Sequence, residues 1–235
     1  MALSRIVVYG PTTSRVGKIL WTVGEAGAQY ERDERSIAAL KADSEYMRIQ
    51  PKGTVPTLVC EMAGAPPFVV NESNSAVAYL ASKLSPGGLY PATAEGVANA
   101  WQWLEWGESS VAASQSPVWF GLVKRGGYPP GTPLRVERGP DGHASVVNDK
   151  SVAALLRVWS TLERHLASDG RTFVQGDRLT MADVTVGVHA NRLFHIPPDA
   201  IGVDVRASMP RTHDYYQRLC ERVPYRAHVL PFGMP

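Results

Sequence analysis

Two short stretches of this 235-residue chain combine residue types and spacings that suit ligand chemistry. The first is Gln50-Pro51-Lys52-Gly53-Thr54-Val55-Pro56-Thr57-Leu58. Pro56 directly precedes a strand-like run, where a residue without an N–H needs a special reason. A cis Val55–Pro56 bond supplies one, because it turns the Val55 backbone outward to pair with an extended, peptide-like ligand. An ordinary trans proline opening a strand is the alternative. The second stretch is Asn71-Glu72-Ser73-Asn74-Ser75, leading into an apolar helical pattern. Ser73 opens that helix, so its hydroxyl and the free N–H groups around it can receive a carboxylate at the positive end of the helix dipole. Glu72 can take an ammonium, and the two together would grip the zwitterionic end of an amino acid. A capping serine beside a surface acid is the plainer reading of the same residues.

These motifs must be held by elements that the pattern of apolar residues predicts. Ile6-Val7-Val8-Tyr9 reads as a buried strand stopped by Gly10-Pro11. Arg15 to Ala26 reads as a helix, with Val16, Ile19, Leu20 and Val23 at three- and four-residue spacings. Its internal glycines, Gly17 and Gly24, each cost about 1 kcal/mol relative to alanine, which implies close packing or a weak helix. Tyr30 to Arg32 makes a second strand. Thr57 to Cys60 and Phe68 to Val70 form a hairpin around a turn at Gly64 to Pro67, and Ser73 to Leu84 is a helix. The order is βαβ, a connection, then ββα.

After Ser85-Pro86-Gly87-Gly88 the strand signals stop. Helical patterns cover about Ala94 to Val123, Val152 to Leu166, Thr180 to Leu193 and Arg211 to Arg222. We therefore expect an α/β domain at residues 1–85, a linker at 86–93 and an all-helical domain at 94–235. Residues 124–150, rich in Gly, Pro and charge, are too long for an ordinary helix connection and predict a lid or a dimer edge. Thr180 and Asp183 have the spacing of a capping box, with Leu179 and Val184 as its apolar staple.

The totals exclude several classes. A hydrophobic share of 44% and a charged share of 20% belong to a globular chain, not a disordered one. A net charge of +2, with no polybasic run, argues against a nucleic-acid surface. Cys60 and Cys220 stand far apart, so neither a disulfide scaffold nor a metal site is expected, and a reducing cytoplasm fits. No signal-peptide order opens the chain, and no run approaches the roughly 18 apolar residues of a membrane span.

Taken together, the motifs resemble the soluble glutathione S-transferase superfamily, in its bacterial and theta-like serine-type members rather than its tyrosine-type ones. The resemblance rests on Thr13-Ser14-Arg15-Val16-Gly17-Lys18-Ile19-Leu20-Trp21, on Gln50 to Leu58, and on Glu72 to Leu80, in the family's order and spacing. It continues through Trp103-Leu104-Glu105-Trp106 and Phe173 to Asp183. It implies a thioredoxin-like first domain, an all-α second domain, a two-fold homodimer and glutathione as co-substrate. It places Val55 and cis-Pro56 against the cysteinyl unit, Glu72 and Ser73 at the γ-glutamyl end and Lys41 near the glycine carboxylate.

Glutathione's thiol resembles free cysteine, with a pKa near 8.5. One hydroxyl donating to the thiolate lowers that by roughly one to two units. The resemblance offers three donors: Ser14, Thr13 in the serine slot, and Tyr9 in the tyrosine slot, with the first two favoured. Trp101, Trp103, Trp106, Trp119, Phe120 and Tyr128 make the start of the helical domain aromatic, as an apolar second-substrate pocket needs; Trp106, Trp119 and Phe120 are its candidates. Trp residues at helical spacing also read as core. The expected reaction is transfer of glutathione's sulfur to a small apolar electrophile. Glutathione-dependent reduction, lyase or isomerase chemistry, or a non-catalytic binding role, are the alternatives on this scaffold.

Overall fold

A computed structural model of the chain describes residues 3–123 and 149–232. Its first half is built on a four-stranded sheet in the order β2-β1-β3-β4. β1 (Leu3–Tyr9) runs parallel to β2 (Glu31–Asp33) and antiparallel to β3 (Thr57–Met62), which pairs antiparallel with β4 (Ala65–Val70). Between β1 and β2 lies α1 (Val16–Glu25), and α4 (Ser73–Leu84) follows β4. Ile6 and Val8 of β1, with Leu58 and Cys60 of β3, face one side of the sheet. There they pack on Val16, Ile19, Leu20 and Val23 of α1 and on Ala76 and Leu80 of α4.

Two local details differ from the sequence reading. Pro66 and Pro67 do not belong to the hairpin turn but lie inside β4. β4 is an edge strand, the place in a sheet where a missing N–H is tolerated. The connection before β3 also holds two short helices, α2 (Ile37–Lys41) and α3 (Ser44–Ile49). Each is capped by a side chain, Ser36 accepting from the Ala39 N–H and Asp43 from the Glu45 N–H. At five and six residues they are too short to show a period.

The second half is helical among the described residues. α5 (Ala94–Trp106) passes through one π turn (Gly107–Val111) into α6 (Ala112–Val123), so the single long helix expected there is interrupted. α7 (Asp149–Ala167), α8 (Met181–Phe194), α11 (Pro210–Cys220) and α12 (Val223–His228) follow, with one-turn helices α9 (Pro198–Ile201) and α10 (Val205–Ser208) after α8. α8 is buried along nearly its whole length and is the axis of this half. At its start Asp183 accepts from the N–H groups of Thr180 and Val174, both at 2.8 Å, which makes it a folding element.

α1 is buried on every side because it is sandwiched between the sheet and this helical core. Trp21 points away from the sheet and packs edge-on against Tyr225 of α12, with ring centroids 4.7 Å apart. The glycines of α1 follow from that position. A Cβ on Gly24 would stand 2.9 Å from Pro224 Cβ, and one on Gly17 would stand 3.1 Å from the His228 carbonyl oxygen. Close packing, not a weak helix, explains them.

Candidate functional site

The strand pairing brings the two motifs and the start of α1 to one end of the sheet. Tyr9 lies opposite Thr57, and Leu58 opposite Val70. The chain leaving β1 toward Thr13, the chain entering β3 from Val55, and the chain leaving β4 toward Glu72 therefore converge.

The Val55–Pro56 bond is cis. Among the described residues neither the N–H nor the C=O of Val55 is hydrogen-bonded. The loop is held on both sides of that residue. The Tyr46 hydroxyl donates to the Thr54 carbonyl at 2.6 Å and pairs with the Thr57 hydroxyl at 3.0 Å. Gln50 Nε2 adds a bond to Thr57 Oγ1 at 3.4 Å. Gly53 has φ +59°, a left-handed turn that suits glycine, and a Cβ there would meet the Lys41 side chain at 3.0 Å. Lys41 thus lies over the same loop.

Ser73 is the first residue of α4, and Glu72 precedes it as the capping position without a capping bond. Ser73 is buried, and its hydroxyl has no partner among the described residues. It is therefore not a capping serine. Glu72 is exposed and 3.1 Å from Lys52 Nζ. Asn71 Nδ2 donates to the Ile49 carbonyl at 2.9 Å, tying this corner to α3. Tyr46 and Asn71 as positioning groups escaped the sequence reading, because nothing local marks their long-range partners.

The candidate hydroxyls separate clearly. Ser14 donates to the Pro11 carbonyl at 2.8 Å and accepts from the Val16 N–H at 3.2 Å, so it is committed to the turn before α1. Thr13 is exposed, and its hydroxyl has no partner among the described residues. Both line a cavity of about 420 Å³ between the two halves. Val55 of the first half and Gln115, Trp119 and Arg192 of the helical half line it too.

Beneath this cavity is a buried charge cluster. Lys18 of α1, fully buried, bonds Asn74 Oδ1 at 3.1 Å and pairs with Glu108 of the π turn. Asn74 also accepts from the Thr185 hydroxyl at 2.8 Å and donates to the Leu104 carbonyl, so the cluster joins both halves. Burial lowers the Lys18 pKa to about 8, although Glu108 opposes it. Burial works against the Glu108 carboxylate too, but His189, Lys18 and Arg15 together hold its pKa well below the usual range. His189 is buried with Nδ1 3.2 Å from Gln115 Oε1, and burial brings its pKa to about 4. The π turn fits this crossing: a Cβ on Gly107 would stand 2.6 Å from Thr185 Cγ2.

Two family models match the chain: the glutathione S-transferase N-terminal domain over residues 14–83 and the C-terminal domain over residues 145–218. Together they span more than half of it. The chain belongs to the glutathione S-transferase superfamily. It is 23% identical to a glutathione S-transferase, GstB, of Escherichia coli K12, over 96% of this chain and 98% of that one. It is 26% identical to the crystal structure of a theta class glutathione S-transferase of Xanthomonas axonopodis pv. citri with glutathione bound; coverage is 96% and 97%, and the TM-score 0.75. It is also 30% identical to elongation factor 1-gamma 1 of Oryza sativa subsp. japonica, over 60% of this chain and 29% of that one. The first half is thus the superfamily's thioredoxin-like domain, followed by its helical domain.

Within this glutathione S-transferase frame, some expected residues fall elsewhere. Trp106 does not line the cavity; its ring packs edge-on against Trp103 and Trp159 in the core of the helical domain, at 5.1 and 5.8 Å. Apolar burial at helical spacing decided its position. Tyr9 also stands away from the cavity, 5.5 Å from the Tyr46 ring, and burial aided by Asp33 raises its pKa. Trp119 does line it. The Phe120 side chain, Tyr128 and residues 124–148 lie outside the described residues. Gln115, His189 and Arg192 escaped the sequence reading; the helical period of α8, with His189 and Arg192 three apart, is the one signal that groups two of them. Among the described residues no helix is long and apolar enough to cross a membrane.

Proposed function

We propose that this chain is a glutathione transferase of the serine-type arrangement, with Thr13 as the activating hydroxyl. The observation that carries the reading is one cavity lined by Thr13, Val55 and Trp119, in which the Thr13 hydroxyl and the Val55 backbone are unpaired among the described residues. In this reading Val55, next to cis-Pro56, pairs by backbone with the cysteinyl unit. Glu72, Ser73 and the N-terminus of α4 hold the γ-glutamyl zwitterion, and Lys41 takes the glycine carboxylate. The thiol loses its proton to water, and the Thr13 hydroxyl donates to the thiolate left behind. The sulfur then forms a bond to the electrophilic carbon as the leaving group departs with its electron pair. Holding both reactants in one cavity supplies proximity, and the fixed hydroxyl supplies charge stabilisation. Ser14 shapes the turn that presents Thr13. The reading includes the domain limits 1–85 and 94–235, a two-fold homodimer and a cytoplasmic setting.

Retention on immobilised glutathione, followed by turnover of 1-chloro-2,4-dinitrobenzene, tests it. Absence of retention would reject the site. The likeness to a protein named as an elongation factor favours a second reading, in which the scaffold binds glutathione or a protein without turnover. Retention without conjugation of any electrophile supports that reading instead.

A further inference from the structure

The cavity that Val55 lines also carries cationic side chains and is not purely apolar. Arg192 of α8 is partly buried and lines it, with its guanidinium over the Trp119 ring at 5.2 Å. Among the described residues it has no hydrogen bond and no carboxylate partner. Among the described residues its acidic neighbour is Glu108, which is already engaged by Lys18 and by Arg15 at 3.3 Å. Arg15 also lines the cavity. His189, which also lines the cavity, is buried with its Nε2 3.9 Å from Glu108 Oε1 and without a hydrogen bond among the described residues, and it is uncharged near neutral pH. Among the described residues, Lys18 and Arg15 thus take up the one carboxylate near Arg192. Taking a guanidinium out of water without a partner is costly, Arg192 is partly buried with no carboxylate partner among the described residues, and its planar fork matches a carboxylate or sulfonate in two parallel bonds.

We propose that the second-substrate subsite selects electrophiles with an anionic group on an aromatic body, and that Arg192 pairs with that group while Trp119 stacks beside it. The proposal rests on the transferase reading and replaces the apolar electrophile expected from the sequence with an amphipathic, acidic one. A cavity of about 420 Å³ limits the ligand to a small molecule.

The test compares 4-chloro-3-nitrobenzoate with 4-chloro-3-nitrobenzamide, each kcat/KM divided by its uncatalysed rate with glutathione. We expect the benzoate to be favoured about tenfold, equivalent to about 1.4 kcal/mol. In Arg192→Gln the ratio falls to about one, and in Arg192→Lys it is partly kept, while calorimetric affinity for glutathione in both variants shows that they fold. A wild-type ratio near one overturns the proposal and leaves the transferase reading intact. So does an Arg192→Gln variant that slows both electrophiles equally. If neither electrophile turns over, calorimetry with the unreactive 3-nitrobenzoate and 3-nitrobenzamide decides. Tighter benzoate binding that Arg192→Gln abolishes sustains the subsite although the transferase reading fails; equal binding overturns it.

Discussion

Removing the Thr13 hydroxyl gives the sharpest expectation for the proposed chemistry. A charge-assisted hydrogen bond contributes about 1.5–3 kcal/mol, and 1.36 kcal/mol corresponds to one pKa unit. Thr13 has no other hydrogen bond to surrender among the described residues, so most of that energy is available to a thiolate. The bound thiol should titrate near 7 in the wild type, and Thr13→Ala should raise that by roughly one to two units. Ser14 is different, because its proton is already given to the Pro11 carbonyl at 2.8 Å. Ser14→Ala should shift the thiol by less than about half a unit, yet lower stability by about 1 kcal/mol through the lost turn bond. Tyr9→Phe should leave the thiol unchanged, since Tyr9 stands away from the cavity. Thiolate absorbance of the glutathione complex, titrated from pH 5 to 10, reads all three. Conjugation rates should show the same pattern, with Thr13→Ala slowed about tenfold near pH 6.5 and nearly normal at pH 9. A larger shift in Ser14→Ala than in Thr13→Ala would refute the reasoning.

Three further expectations concern the frame around the site. Glu108→Gln leaves the Lys18 ammonium buried without its carboxylate, and should lose roughly 2 kcal/mol at pH 7 but less at pH 9, above the Lys18 pKa of about 8. Urea unfolding of Lys18→Met, Glu108→Gln and the double variant should show a coupling of at least about 1 kcal/mol; additive losses would remove the pair from the account. His189 titrates at about 4 in the folded chain against about 6.5 unfolded, so between those values the unfolded state binds more protons and stability falls as pH falls. The loss approaches about 3 kcal/mol at pH 4, and His189→Gln should flatten that part of the profile; parallel curves for variant and wild type would contradict the assignment. Gly24→Ala gains about 1 kcal/mol of helix propensity but forces a Cβ to 2.9 Å from Pro224 Cβ. Overpacking of about 1–3 kcal/mol should win, and a variant that melts at or above the wild-type temperature would show that α12 yields.

The motifs proposed to hold glutathione were legible because each is local. Proline before a strand, serine at a helix start and an acid beside it are all features of a window of ten residues or fewer, and so is the helical period that marks α1, α4 and α8. Helices α2 and α3 were not legible, since single turns held by Ser36 and Asp43 carry too few apolar residues to show a period. The choice among hydroxyls needed coordinates for a different reason. Thr13 and Ser14 have the same functional group, and only the backbone fold around Pro11 leaves one bonded and the other without a partner among the described residues. Trp106 and Trp119 read alike in the sequence, yet one packs on Trp159 while the other lines the cavity. Which face of a helix meets core and which meets a ligand is set by the helices packed against it. The cations of the cavity are the extreme case: Arg15 and Arg192 line one cavity only because α8 is buried against α1, where Gly187 leaves space for the Trp21 ring. Sequence alone therefore determined the glutathione S-transferase frame and the segments proposed to hold glutathione, while the lining of the cavity between the two halves was decided by long-range packing, in which no single window of the chain contains both partners.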